Sequence, residues 1–126
     1  MDQKSSAHKI ATQHRLIESL FVGLGSTLSV RDEVLARRRS AGLRRALDAH
    51  FVLEEDHYFP RLCDARPDRA PDLERLIEEH VTMRSHADDV SAHLDRGDWG
   101  AAVGTFDALR SLFKQHEARE REVVGS

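Results

Sequence analysis

Residues 50–54 read His-Phe-Val-Leu-Glu, and residues 116–120 read His-Glu-Ala-Arg-Glu. Both are His-x-x-x-Glu. Four residues make just over one helical turn, so each pair can direct an imidazole and a carboxylate from one helix face into one small volume. A further histidine lies upstream of each pair at one distance: His14 stands 36 residues before His50, and His80 stands 36 before His116. A shift of 66 residues lays His14 on His80, His50 on His116 and Glu54 on Glu120. Six side chains of metal-binding type thus fall into two equivalent sets, as a duplicated helical hairpin would place them.

The segments around these residues carry helical periodicity. Ile10, His14, Ile17, Phe21, Leu24 and Leu28 recur in steps of three and four, and Ser5 or Ser6 supplies a helix start. After a short connection at residues 29–32, a second helix runs to about Leu62 with Leu43, Leu47, His50 and Glu54 on its inner stripe. Pro60 disturbs its last turn, and residues 64–70 form the central loop. A third helix opens at Pro71, carries Leu73, Leu76, His80, Met83, Ala87, Val90 and Leu94 inward, and stops at Gly97. Asp98 caps a fourth, whose stripe is Ala102, Phe106, Leu109, Phe113, His116, Glu120 and Val123. Short connections within each pair predict an all-α, up-down-up-down antiparallel four-helix bundle with an internal two-fold hairpin repeat. In that packing the six polar positions come level at one end of the bundle.

Composition agrees with one domain spanning residues 1–126. Forty per cent hydrophobic and 33% charged residues suit a globular chain, and a net charge of −3 gives no general attraction to nucleic acid or membrane. Arg37, Arg38, Arg39, Arg44 and Arg45 spread around the second helix without aromatic neighbours and read as a solvated face. The single Cys63 excludes an intramolecular disulfide and fits a reducing compartment. The polar start, Met1 to Ala7, and the absence of an apolar run of roughly 18 residues place the chain in the cytoplasm.

Two glutamates on apolar stripes are costly to bury unless a cation compensates them. Four imidazoles with two carboxylates suit iron, manganese or zinc. One carboxylate can bridge two ions, so the set favours a dinuclear centre, and no thiolate set suggests a cysteine-type zinc or iron–sulfur site.

His14, the run His50-Phe51-Val52-Leu53-Glu54-Glu55 ending at Phe59-Pro60, Glu79-His80, and His116-x-x-x-Glu120 together resemble the hemerythrin-like HHE cation-binding family over essentially the whole chain. The resemblance implies two non-haem iron ions, oxo- or hydroxo-bridged, held by His14, His50, Glu54, His80, His116 and Glu120 with both glutamates bridging. It further implies an exchangeable position for dioxygen, peroxide or another small oxidant. One departure stands out. Oxygen carriers of that family have His-x-x-x-His on the third helix, where this chain has His80-x-x-x-Arg84. A guanidinium does not ligate iron, so Arg84 is expected beside the site, pairing with a carboxylate, and Glu18 occupies the equivalent place in the first half.

Two side chains compete to replace the missing imidazole. Tyr58 lies one turn beyond Glu54, and a phenolate is a hard ligand for ferric iron; some hemerythrin-like proteins carry tyrosine at this place. His57 is nearer to His50 by straight-helix geometry. His8, His86 and His93 fall off the stripes, and Glu55 and Glu117 point round the helix as exposed charge. Three functions fit: a di-iron centre reacting with dioxygen or peroxide, with catalase-like peroxide removal among its outcomes; an oxygen-, redox- or iron-sensing or oxygen-binding module; and metal storage or a zinc-binding bundle. With no attached output domain after the fourth helix, the first is favoured over the second.

Overall fold

The computed structural model describes residues 3–124, with side chains from His8 onward, and no strand occurs among them. Helix α1 spans Gln3–Ser29, α2 Glu33–Leu53, α3 Phe59–Ala65, α4 Ala70–Asp95 and α5 Trp99–Val124. The four long helices form a bundle in which α1 packs on α2, α4 on α5, and α2 on α4. Asp32 caps α2 by accepting from the Leu35 N–H at 3.1 Å, and Asp98 accepts from the Ala101 N–H at 3.3 Å. Gly97 ends α4 at φ +73°, a left-handed conformation that a side chain disfavours. No helix among the described residues is long and apolar enough to cross a membrane.

Two local expectations need correction. Helix α1 already includes Ser5 and Ser6, so neither is its cap. The second helix does not run unbroken to Leu62: Glu54–Tyr58 form one wide π turn, in which the Phe59 N–H reaches back five residues to the Glu54 carbonyl. The cause is Pro60, which has no N–H and whose ring would strike the carbonyl four residues back in a regular helix. The wide turn relieves that clash, and Pro60 then sits in the first turn of α3. The central loop is correspondingly short, a 3₁₀ turn at Pro67–Arg69 before α4.

The buried residues follow the stripes, but the core divides in two. The larger cluster includes Ile17, Phe21, Leu47, Phe51, Met83 and Phe113, while the smaller holds Ile10, Tyr58, Phe59, Leu62, Leu73 and Leu76. Along α1 the order is Ile10, His14, Ile17; along α4 it is Leu76, His80, Met83. A polar layer therefore sits between two apolar ones. Not all the arginines of α2 are merely solvated. Arg39 donates to the Gly23 carbonyl at 2.7 Å and to Thr27, while Arg44 ties Asp48 on its own helix to Asp88 on α4.

Candidate metal centre

The polar layer brings His14, His50, Glu54, His80, His116 and Glu120 together from α1, α2, the π turn, α4 and α5. His50, Glu54, His80 and His116 are wholly buried, Glu120 nearly so, and His14 is partly exposed. Their donor atoms form two groups in which all atoms lie within 4.8 Å: His14, His50, Glu54 and Glu120 in one, Glu54, His80 and His116 in the other. Glu54 belongs to both. Its Oε1 is 3.3 Å from His50 Nε2 and 3.1 Å from His80 Nε2. Glu120 also spans the groups, with Oε1 3.8 Å from His14 Nε2 and Oε2 3.4 Å from His116 Nε2.

All four imidazoles turn Nε2 inward. The outer nitrogens meet acceptors: His80 Nδ1–H donates to Glu55 Oε2 at 2.6 Å, His116 Nδ1–H to Glu79 Oε1 at 2.8 Å, and His50 Nδ1–H to Gln13 Oε1 at 2.9 Å. Histidine ligands are usually oriented through their second nitrogen in this way. The consequence for the interior is electrostatic. His80 and His116 spend their protons outward, so their Nε2 lone pairs face each other at 3.2 Å, while the Nε2 atoms of His14 and His50 stand 2.9 Å apart, a pair in which the His14 tautomer decides whether one N–H is shared. Both oxygens of Glu54 and Oε2 of Glu120 are buried without a hydrogen-bond partner among the described residues. Facing lone pairs and orphaned carboxylate oxygens repel unless a cation stands between them. Adjacent ligands each about 2.1 Å from one ion lie about 3 Å apart, which matches these separations. The donor set fits metal ions.

Charge regulation agrees. Burial, then the proximity of His14, lowers His50 to about 3. Burial, then His116, lowers His80 to about 2. Both rings are therefore neutral, as ligands must be. Burial and the adjoining Glu120 carboxylate push Glu54 well above the usual range. In metal-free protein this predicts acid lability of a definite sign. Below pH 4.5 His50 and His80 bind protons only when unfolded, and Glu120, held at about 2 against the cost of burial by its contacts with Glu54 and His116, joins them as its unfolded carboxyl becomes protonated. Unfolding then takes up at least about two extra protons, and stability falls by roughly 3 kcal/mol or more per pH unit as pH drops from 4.5 towards 3. Between pH 4.5 and 6.5 the raised Glu54 opposes the histidines and flattens the curve. Denaturant titrations of the metal-free chain at pH 6, 4.5 and 3.5 would measure this; no loss between the last two would contradict it.

The remaining candidates separate by position. Tyr58 is buried and lines a cavity of about 290 Å³ with Ile10, Ala11, His14, Glu117, Glu120, Arg121 and Val124. Its phenol is raised by burial and by the Glu120 and Glu54 carboxylates. His57 is exposed, because the wide turn rotates it outward. Arg84 donates to Asp48 at 3.1 Å and to Glu55 at 3.3 Å, the same Glu55 oxygen that holds His80. Glu18 is exposed but adjoins Glu117, which burial and then Glu18 raise to about 7.

Glu55 and Glu117 are not simply exposed charge. Glu55 is half-buried on His80, and Glu117 is buried 3.5 Å from His14 Nδ1. A residue 100° round the helix from a ligand reaches the back of an imidazole offered by the neighbouring helix. Gln13, Glu79 and Arg119 were not legible as site residues from periodicity, since they lie off the stripes. The signal for two of them is spacing: Gln13 and Glu79 directly precede His14 and His80 and stand in the same 66-residue register, whereas Arg119 falls on Leu53 and left no such trace.

Among known families, the one described as the hemerythrin HHE cation binding domain matches residues 5–125. No curated protein and no solved structure matches the chain.

Proposed function

Because the chain belongs to the hemerythrin HHE cation-binding family, we propose that it is a non-haem di-iron protein that reacts with dioxygen or peroxide, removing peroxide in the cytoplasm. The carrying observation is the pair of buried carboxylates, three of whose four oxygens lack a hydrogen-bond partner among the described residues, set among four inward-facing Nε2 atoms. In this reading the chain is a duplicated hairpin of antiparallel helices, in which His14, His50, His80 and His116 would supply nitrogens and Glu54 and Glu120 the carboxylates shared by the ions. Two iron ions, when bound, supply redox chemistry toward peroxide that no side chain possesses. Disproportionation turns two hydrogen peroxide molecules into one dioxygen and two waters, so no external reductant is required.

The chain's own residues account for the rest. The apolar walls of the cavity, Ile10, Ala11 and Val124, admit a small uncharged molecule to the His14 side. On the opposite side Phe51 stacks on His80 at 3.9 Å between ring centroids and Phe59 lies 6.0 Å away, which closes that face to water. Arg84 is held by Asp48 and Glu55 and leaves the interior to the imidazoles. Tyr58, at the cavity, would supply the further ligand. Reconstitution with ferrous iron under anaerobic conditions, followed by air, should give about two iron ions per chain, visible absorption and consumption of added peroxide with oxygen release. One ion or none per chain defeats the dinuclear reading. Two ions with reversible oxygen uptake and no peroxide loss would favour a carrier or sensor.

A further inference from the structure

The 66-residue repeat extends outward by one residue and is then broken in charge. Gln13 receives the outer proton of His50 at 2.9 Å, and Glu79, its counterpart in the second half, receives that of His116 at 2.8 Å. The backbone positions and hydrogen-bond lengths are equivalent, but one acceptor is a neutral amide and the other a carboxylate. The difference is compounded at the other two histidines. His80 has Glu55 at 2.6 Å, whereas His14 has only Glu117, at the looser 3.5 Å. Arg119 fixes Glu79 at 2.5 Å and Arg84 fixes Glu55 at 3.3 Å, so both carboxylates are pinned in place.

The geometry points to Glu79 and Gln13 as positioning residues that make the two metal positions unequal, the His80/His116 position being the tighter and first filled. The inference rests on the dinuclear reading above and goes beyond it by ranking the two positions and naming what ranks them. A carboxylate behind an imidazole makes the inward nitrogen a stronger donor to a cation; an amide does so far less. Loss of such a partner commonly costs 10–100-fold in metal affinity. Burial acts in the same direction, since His80 and His116 are wholly enclosed while His14 borders the cavity. The amide–carboxylate exchange separates the two causes, because it leaves burial unchanged.

Zinc serves as the probe, being redox-silent and independent of any oxidant chemistry. Crystals of the natural chain grown with one equivalent of zinc should place the anomalous signal between His80, His116 and Glu54. In the charge-conserving double variant Gln13→Glu with Glu79→Gln, the single ion should move to the His14/His50 position. In solution, Glu79→Gln alone should weaken the first of two zinc-binding steps 10–100-fold, as read by chelator competition, and leave the second unchanged. Gln13→Glu alone, which retains the Glu79–Arg119 pair, should narrow the gap between the steps and covers the case in which Glu79→Gln fails to fold. Two ions bound by the natural chain, with site occupancy and both steps unmoved in the variants, would overturn the inference and leave the dinuclear reading standing. Fewer than two ions in the natural chain would overturn both.

Discussion

Replacing Glu54 with alanine should strip the protein of both ions rather than one. Glu54 is the one residue common to the two donor groups, and its Oε1 lies within 3.3 Å of an imidazole from each. Without it the His80/His116 group retains two imidazole nitrogens and only the more distant Glu120 oxygen at 3.4 Å. A site that has lost an anionic ligand to each ion cannot neutralise two divalent charges, so binding at both positions weakens together. The fold should survive better than the centre. In metal-free protein the Glu54 carboxyl is an uncompensated buried group, and its removal relieves a cost that partly offsets the cavity it leaves. The variant should therefore keep its helical circular dichroism while metal analysis, after anaerobic loading with ferrous iron, falls well below one ion per chain. A full complement with an unchanged optical spectrum would show that Glu54 does not bridge.

How far this was readable from sequence depends on which physical interaction decides each feature. The helices and their buried faces follow from apolar spacing, because burial of a 3–4 stripe is what holds a bundle helix in place: Ile17, Phe21, Leu24 and Leu28 on α1, and Leu76, Met83, Val90 and Leu94 on α4, are all buried. The inward convergence of His14, His50, Glu54, His80, His116 and Glu120 follows from the same spacing plus the internal register. The wide turn at Glu54–Tyr58 does not, since apolar periodicity carries no record of how a proline ring meets a carbonyl. That omission matters for the competition between His57 and Tyr58. Straight-helix angles favour His57, but they cease to apply beyond Glu54, and it is Tyr58 that is buried at the cavity. Glu55, Glu79, Glu117 and Gln13 were obscured for another reason. They touch imidazoles contributed by other helices, and a single helical wheel shows only which way a residue leaves its own axis.

The accommodation of Arg84 illustrates the same point. Read on α4 alone it is a missing ligand, one turn after His80. In the folded protein its guanidinium joins Asp48 and Glu55 and lies 5.1 Å over the Phe51 ring, so that one side chain braces both the carboxylate behind His80 and the aromatic stacked upon it. Arg84, one turn after His80, thus firms the hold on that imidazole.

Tyr58→Phe should abolish a broad visible charge-transfer band while leaving iron content near two ions per chain and the fold intact. Tyr58 is the chain's single tyrosine, so a phenolate-to-ferric band has one source. The ring is buried in the smaller apolar cluster, 6.3 Å from Phe59 between centroids, and phenylalanine preserves that packing. The hydroxyl is the variable part. Burial and the Glu120 and Glu54 carboxylates raise its pKa, so without a cation it stays a neutral phenol, and only a bound ferric ion would reverse that preference. Two consequences should therefore appear together in the natural protein and vanish together in the variant: the visible band, and loss of the phenol proton at pH 7. Removal of this hard anionic ligand should also make bound ferric iron easier to reduce and change the rate of peroxide consumption. A band that persists in Tyr58→Phe would remove Tyr58 from the coordination sphere. Rapid, reversible oxygen uptake by the natural protein without peroxide consumption would instead place the chain with the carriers, despite Arg84 standing where those proteins have an imidazole.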